Sequence, residues 1–225
     1  MRYTKHIRNI GFFVLIGLLG IGGLIVLAQT NTQFNQTINP GVLSIGIVDG
    51  SFNTVPSPAV TFGAVNFDFA CQSTTGTLGT ASQQLYVENP DGADGGWVAS
   101  IAANSVTSFW DGGPADYDFN DPSGSGCTDG GDADSLRGQM TVNPAVGTLA
   151  VGNCLSCTTT NISLGSSASF NQGTLDSITL LNAAAGSDDV GDWTFRGVAL
   201  SQTIPAEQAV ASDYDIPMVV SVVAN

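Results

Sequence analysis

The chain has almost no basic side chains beyond its first few residues. It contains 5 lysines and arginines, 19 acidic residues and 1 histidine, and Arg2, Lys5, His6 and Arg8 all lie near the N-terminus. Residues 29–225 therefore carry two arginines, no lysine and no histidine, and their net charge is −17. A surface this acidic repels other anions, so we expect no nucleic-acid partner and no attraction to anionic membrane surfaces.

The missing side chains also exclude most kinds of catalysis. Without histidine or lysine, a serine or cysteine nucleophile has no imidazole or amine base, no Schiff base can form, and histidine metal sites are impossible. Carboxylate chemistry remains, but the only glutamates are Glu88 and Glu207, and the paired Asp-Thr-Gly or Asp-Ser-Gly turns of aspartic proteases are absent from the sequence. We therefore expect a protein that is not an enzyme.

The N-terminus has the pattern of an export signal. A segment with several basic side chains, 1–9, precedes an apolar run at 10–27. The residues that end at Ala28 are small or medium in size, as a signal-peptidase cleavage site requires. This pattern predicts a signal helix over 1–28 that is either cleaved or retained as an anchor. The anchor is an alternative because the apolar run approaches the ~20 residues of a helix that spans a membrane. Either way, residues 29–225 are secreted to the cell surface or cell wall, and only an uncleaved leader contacts the membrane.

The four cysteines all follow the leader, at Cys71, Cys127, Cys154 and Cys157. An even number of cysteines in an oxidising compartment predicts two disulfides, for which three pairings exist. We favour Cys154–Cys157 with Cys71–Cys127, because the first two are forced close together by the chain. The alternative for the Cys-x-x-Cys segment is a redox motif, but that chemistry needs a helix N-terminus, and Thr-Thr-Thr at 158–160 is a poor helix start.

Apolar residues alternate with polar ones over many short segments, and helical spacing is almost absent. Turn-forming Gly, Asn, Asp, Ser and Pro clusters separate these segments. The pattern predicts an all-β fold, an antiparallel β-sandwich with long Gly/Asp-rich loops that follows the N-terminal signal helix. We expect one sandwich domain over 41–225, preceded by a polar linker or edge strand at 29–40. The predicted strands are 42–48, 60–70, 83–87, 97–102, 138–143, 177–181, 193–200 and 218–223.

The longest predicted loop, 111–136, is rich in glycine and aspartate. Its alternating Asp-x-Asp-x-Asn pattern places oxygens on one side of a turn, which suits the hard oxygen ligands of Ca²⁺. It is not an EF-hand, because Asp121 stands where that loop needs glycine and Cys127 where it needs glutamate. The other interpretation is a solvated loop of turn formers. The candidate calcium ligands are Asp116, Asp118, Asn120, Asp121, Asp129, Asp132 and Asp134.

Two segments share the order strand, acidic turn, Trp-led strand, and the Trp residues are Trp97 and Trp193. Both could be core anchors, since each ring buries a large apolar area, or contacts for a wall polymer or partner. The acidic turns indicate ordinary hairpins or, more weakly, further cation sites. These turns hold Asp91 and Asp94 in the first segment and Asp188, Asp189 and Asp192 in the second.

These segments resemble the WxL-domain family of bacterial cell-surface proteins. The similar parts are 85–101 (LYVENPDGADGGWVASI), the Asp-Trp-Thr-Phe of 192–195, and the ending 198–223 (VALSQTIPAEQAVASDYDIPMVVSVV). The resemblance implies a secreted, non-catalytic protein that is held non-covalently on the cell wall, often in complexes with other surface proteins.

Three functional hypotheses follow. The first is a secreted structural or wall-binding protein, with Ca²⁺ bridging an acidic protein to an anionic wall. The second is a self-associating subunit of an extracellular fibre or surface layer, in which edge strands pair between copies. The third is a carbohydrate-binding or carbohydrate-active protein.

Overall fold

The computed structural model describes residues 33, 35–91, 95–130, 133–188 and 190–225. The leader predicted at 1–28 lies outside these residues, as do Asp94, Asp132 and Asp189. Residues 39–225 form a compact unit, which is the molecule described below. Within the described residues, no helix combines the length and the apolar character that crossing a bilayer requires.

The described chain is almost entirely β-structure, which confirms the all-β prediction. Its regular helices are two short 3-10 turns, at Ser123–Gly126 and Pro144–Val146. The strands are β1 Ser44–Val48, β2 Gln72–Leu78, β3 Gln84–Asn89, β4 Trp97–Ala103, β5 Gln139–Asn143, β6 Thr148–Val151, β7 Ile162–Leu164, β8 Ala168–Ser169, β9 Ser177–Ala183, β10 Gly191–Arg196, β11 Val198–Ile204 and β12 Met218–Ala224.

These strands form three four-stranded sheets, and every pairing is antiparallel. Sheet 1 has the order β1-β3-β10-β6, sheet 2 the order β2-β11-β5-β8, and sheet 3 the order β12-β4-β9-β7. The ladder between β4 and β9 shifts register between Ala99 and Ser100. The sheets share one apolar core, because the inward residues of each strand alternate with outward ones.

One predicted strand is in fact two. The alternation over 193–200 continues through the end of β10 and the start of β11, which belong to different sheets. Gly197 separates them with a φ of +77°, a conformation that a side chain strongly disfavours. The chain thus passes from sheet 1 to sheet 2 at this glycine without losing the period-2 pattern.

The prediction of a strand over 60–70 is wrong. The structure places no ladder there, and Val65, Phe67 and Phe69 are exposed. The position beside β11 is taken instead by β2, whose polar sequence QSTTGTL gave no alternation of apolar residues. Segment 60–63 lies along the outer edge of β2, where the Gly63 amide donates to the Thr75 carbonyl at 3.0 Å.

Both disulfides have the favoured pairing. Cys71–Cys127 joins the start of β2 to the 111–136 loop, with 5.7 Å between the Cα atoms and 56 residues between the cysteines. Cys154–Cys157 closes a short turn after β6, with 5.8 Å between the Cα atoms.

Candidate functional site

A groove of about 590 Å³ lies between segments 60–68 and 205–212. Two contacts hold these walls in place: the Glu207 amide donates to the Asp68 carbonyl at 2.8 Å, and the Gln72 side chain donates to the Asn66 carbonyl at 2.8 Å. The wall formed by 60–68 lies within the segment 60–70, in which the sequence predicted a strand. No ladder covers this segment, so residues 63–68 are exposed, while Val60 and Phe62 pack against the core.

The floor of the groove is aromatic. Trp110 stacks on Tyr117 with 5.7 Å between ring centroids, and Phe62 and Tyr214 meet this pair edge-on at 5.3 and 5.1 Å. Trp110 and Tyr117 are 8% and 5% exposed, so they support the groove more than they offer contact area. The floor is therefore a packed and largely buried aromatic layer.

Buried Gln202, in β11, fixes the floor to sheet 2. It is 0% exposed, its Oε1 accepts from the Trp110 indole at 3.0 Å, and its Nε2 donates to the Asp118 carbonyl at 3.0 Å. A second amide, Gln208, donates to the Tyr214 hydroxyl at 2.9 Å and to the Ala115 carbonyl at 2.7 Å. Both amides connect the 110–118 segment to the C-terminal part of the chain.

The rim carries exposed apolar side chains. Phe67 is 49% exposed and meets Phe69, which is 78% exposed, edge-on at 5.3 Å. Val65 and Val210 are 41% and 77% exposed on opposite walls. A rim of this kind can be covered by a ligand with an apolar face.

The groove is nearly uncharged. Burial, with a smaller contribution from the neighbouring Tyr214, raises the pKa of Tyr117 well above its usual range, so its hydroxyl is neutral. Asp68 is the one carboxylate among the lining residues. The lining amides belong to Asn66, Gln72 and Gln208. Aromatic rings, amides and hydroxyls together suit a neutral ligand that has both apolar faces and hydrogen-bonding groups.

The acidic loop is folded into the protein rather than solvated along its whole length. Asp118, Asn120 and Asp121 are 1%, 1% and 0% exposed, while Asp116 is half-buried and Asp129 and Asp134 are exposed. In the sequence Asp-Tyr-Asp-Phe-Asn-Asp, polar residues alternate with two aromatic residues whose side chains enter the core. The polar residues beside these aromatic residues are therefore drawn inward with them.

Two buried oxygens of this loop have no hydrogen-bond partner among the described residues: Asn120 Oδ1 and Asp121 Oδ2. The other groups are satisfied, since Asn120 Nδ2 donates to the Val106 carbonyl and Asp121 Oδ1 accepts from the Ser123 amide, both at 2.8 Å. A buried carboxylate oxygen without a donor is costly, and a cation is one way to satisfy it. Calcium binding stays a prediction, now centred on this pair.

The seven predicted ligands do not all come together. Among the described residues, the one group of three His, Cys, Asp or Glu side chains whose ligand atoms all lie within 4.8 Å of one another is Cys154, Cys157 and Asp192. Asp132 lies outside those residues. Because both sulfurs are in a disulfide, this group is not a metal site in the oxidised protein.

Asp192 instead anchors the Cys-x-x-Cys turn. Its carboxylate accepts from the Asn153 and Cys154 amides at 2.6 and 2.7 Å and from the Tyr86 hydroxyl at 2.6 Å. Burial, followed by this hydrogen bond, raises the pKa of Tyr86 above its usual range. No helix starts after Cys157, so the turn lacks the feature that lowers a thiol pKa in redox motifs.

Trp97 and Trp193 are core anchors. Both are 0% exposed, their rings lie 5.5 Å apart, and the Trp193 indole donates to the Thr158 carbonyl at 2.8 Å. This burial supports the core-anchor interpretation of the two Trp residues over contact with a wall polymer or partner, because neither ring has exposed surface in this structure. The groove residues that do have such surface were missed, although the alternation at 65–69 was visible in the sequence.

Comparisons with known proteins add no relative. A scan against protein-family models, a search of curated proteins and a search of solved structures each returned no match. The resemblance to WxL domains therefore stays a prediction.

Proposed function

We propose that this chain is an exported, non-catalytic protein of the cell surface that binds a neutral polysaccharide of the cell envelope in the groove. The observation that carries the proposal is the aromatic and amide-lined groove of about 590 Å³, with half-exposed Phe67 on its rim. The N-terminal export pattern and the two disulfides support the extracellular location.

A sugar polymer fits the chemistry of the lining. Pyranose rings present C–H faces that pack on aromatic and aliphatic side chains such as Phe67, Val65 and Val210, while their hydroxyls donate to the side-chain carbonyl oxygens of Gln72 and Gln208. The acidic polymers of an envelope are disfavoured, because residues 29–225 carry a net charge of −17. The preferred ligand is therefore the neutral fraction.

The lining supports binding rather than hydrolysis. Glycosidases use two carboxyl groups about 5–10 Å apart. Asp68 is the one carboxylate in the groove lining, and its Oδ1 accepts from the Ala70 amide at 2.9 Å. A single carboxylate provides either an acid or a base, but not the pair.

Calcium has an indirect role in this proposal. The strip 110–121 carries Trp110 and Tyr117 under the groove and ends at Asn120 and Asp121. An ion at the last two residues would hold the strip in place and so preserve the groove floor. This replaces the idea that calcium bridges the protein directly to an anionic wall.

The test is co-sedimentation with purified cell walls. Protein exported by its own leader is mixed with walls before and after removal of their anionic polymers, in millimolar Ca²⁺ and in EDTA. We expect pelleting with both wall preparations, and weaker pelleting in EDTA. A sample centrifuged without walls is the control for self-assembly of the protein.

Phe67→Ala is the matched groove variant. Since 49% of Phe67 is exposed, a ligand can cover about half of its side chain. Full burial contributes about 1.5–3 kcal/mol, so we expect the loss of about 1 kcal/mol, or about fivefold in affinity. Leu155→Ala is the control, because Leu155 is fully exposed in the Cys-x-x-Cys turn, outside the groove. Equal binding by both variants, or binding that requires the anionic polymers, would overturn the proposal.

A further inference from the structure

Strand β12 forms an open edge of sheet 3. It pairs with β4 on one side, and within the described residues no backbone hydrogen bond joins 218–224 to another segment on the other side. Strand β1 lies near β12 but forms no ladder with it. Within the described residues, the outer amides and carbonyls of β12 therefore have no backbone hydrogen-bond partner.

The register identifies these outer groups. The Pro217 carbonyl accepts from the Asn104 amide and the Asn225 amide donates to the Gly96 carbonyl, each at 3.1 Å, so odd-numbered residues direct their backbone groups toward β4. Directions alternate along an antiparallel strand. The even-numbered residues Met218, Val220, Val222 and Ala224 therefore direct their amides and carbonyls outward.

The edge lacks the usual protection against strand pairing. Natural edges carry charges, proline or bulges. Strand β12 has the sequence MVVSVVA, with no charge and no proline, and its register with β4 is regular. Val219 and Val223 are 45% and 65% exposed on its outer face. An uncharged edge is notable in a chain whose net charge is −17 beyond the leader.

The strand is also its own complement. Residues 219–223 read Val-Val-Ser-Val-Val in both directions. If two copies pair antiparallel about Ser221, Val220 opposes Val222 of the second copy, and Val219 opposes its Val223. Each even-numbered residue, whose amide and carbonyl point outward, then lies opposite an even-numbered residue of the second copy. This arrangement allows up to about eight hydrogen bonds in the new ladder. Any register shifted by one residue would lose this match.

We propose that β12 is a dimerisation strand, and that its partner is β12 of a second copy related by a two-fold axis. Sheet 3 of each copy then continues into an eight-stranded sheet. Since each copy uses the same edge, the assembly closes as a dimer and does not extend into a fibre. Two linked grooves would give the dimer avidity for a polymer with repeated sites.

A cysteine crosslink tests the register directly. In the proposed dimer, Ser221 lies opposite Ser221 of the second copy, as a pair without mutual hydrogen bonds and with Cα atoms about 4.5 Å apart. Ser221→Cys should therefore form an intermolecular disulfide in oxidising buffer. In Val223→Cys the two cysteines lie about four residues out of register, or ~13 Å apart, and should not crosslink. Comparable crosslinking of both variants would overturn the proposed register.

The oligomeric state provides the second test, measured by sedimentation equilibrium on exported protein over a concentration series. We expect a dimer that tightens as salt screens the repulsion between the acidic copies. Val220→Pro removes an outward amide without touching the β4 ladder, and Val219→Lys adds an edge charge; both should give monomers. Val146→Lys, at a position 58% exposed outside the sheets, adds the same charge and should stay dimeric.

A wild-type monomer at all concentrations and salt levels, or a dimer that survives both edge variants, would contradict the proposal. Larger polymers would contradict the closed two-fold arrangement. Near-ultraviolet circular dichroism confirms that each variant is folded. The monomeric variants should keep their intrinsic affinity for a short glycan, so the dimer and the groove succeed or fail separately.

Discussion

Replacing Gln202 by methionine should destabilise the protein strongly. The side chain is fully buried and makes three hydrogen bonds: it accepts from the Trp110 indole at 3.0 Å and donates to the Asp118 and Thr203 carbonyls at 3.0 and 2.8 Å. Methionine has a similar length and shape but cannot make these bonds. Gln202→Met therefore isolates the polar contribution from a change in packing volume.

The cost follows from the groups left behind. Two buried groups lose their hydrogen-bond partner in this variant. One is the indole of Trp110, which is 8% exposed, and the other is the carbonyl of Asp118, which is 1% exposed. Each unsatisfied buried group costs about 1–3 kcal/mol, so we expect a loss of about 2–6 kcal/mol in the free energy of unfolding. Gln84→Met is the control. Gln84 is 7% exposed and donates to the half-buried Asp49 carbonyl at 3.2 Å, so its loss should cost about 1 kcal/mol.

Urea unfolding, followed by tryptophan fluorescence with both disulfides intact, measures both variants. The slopes with denaturant should match the wild type, so that a lower midpoint reports stability alone. Gln202→Met should also weaken glycan binding, because Trp110 loses its orientation under the groove. If the free energies of unfolding of Gln202→Met and Gln84→Met agree within about 0.5 kcal/mol, the amide does not hold the floor and the reasoning is refuted.

Three further predictions concern the ion, the disulfides and pH. Millimolar Ca²⁺ should raise the thermal midpoint of unfolding, with about 2.7 kcal/mol of stabilisation when the Ca²⁺ concentration is a hundred times the dissociation constant. Asp121→Asn should abolish this shift, and an equal shift in that variant would place the ion elsewhere. Replacing Cys71 and Cys127 by serine should lower the free energy of unfolding by about 4 kcal/mol, and replacing Cys154 and Cys157 should lower it by about 2 kcal/mol. The difference is expected because the Cys71–Cys127 disulfide closes a longer loop and so removes more entropy from the unfolded chain. Calorimetry ranks the two variants, and the reverse order would reject this explanation. The neutral form of Tyr117 is favoured in the folded state, so its contribution to stability is complete below the usual pKa of 10.0 and is lost as pH rises above it. Absorbance at 295 nm should show this phenol ionising together with unfolding, and ionisation in the folded protein would contradict its burial.

Period-2 alternation predicted the fold class because burial on one face of a strand leaves that pattern in the sequence. It identified β3, β4, β5, β9 and β12 close to their actual positions. It failed where a strand is polar or where the chain passes from one sheet to another within the pattern. β2 is a ladder strand of Thr, Ser and Gly, and β10 and β11 share one alternation across Gly197.

The groove could not be predicted because alternation does not specify a partner. Residues 65–69 have the composition of a buried strand, yet the neighbouring ladder position belongs to β2. Similarly, the acidic spacing at 116–121 indicated a calcium site or a solvated loop, and neither interpretation indicated that Tyr117 and Phe119 enter the core and bury Asp118 between them. Both outcomes depend on contacts with residues distant in sequence, which a local pattern does not contain.

The central claim is that the groove binds a neutral envelope glycan, and isothermal titration calorimetry tests it most directly. Exported protein is titrated with soluble oligosaccharides from walls stripped of anionic polymers. We predict saturable binding by the wild type and by Leu155→Ala, with about fivefold weaker binding by Phe67→Ala. No saturable binding by the wild type, or unchanged affinity in Phe67→Ala, would contradict the claim.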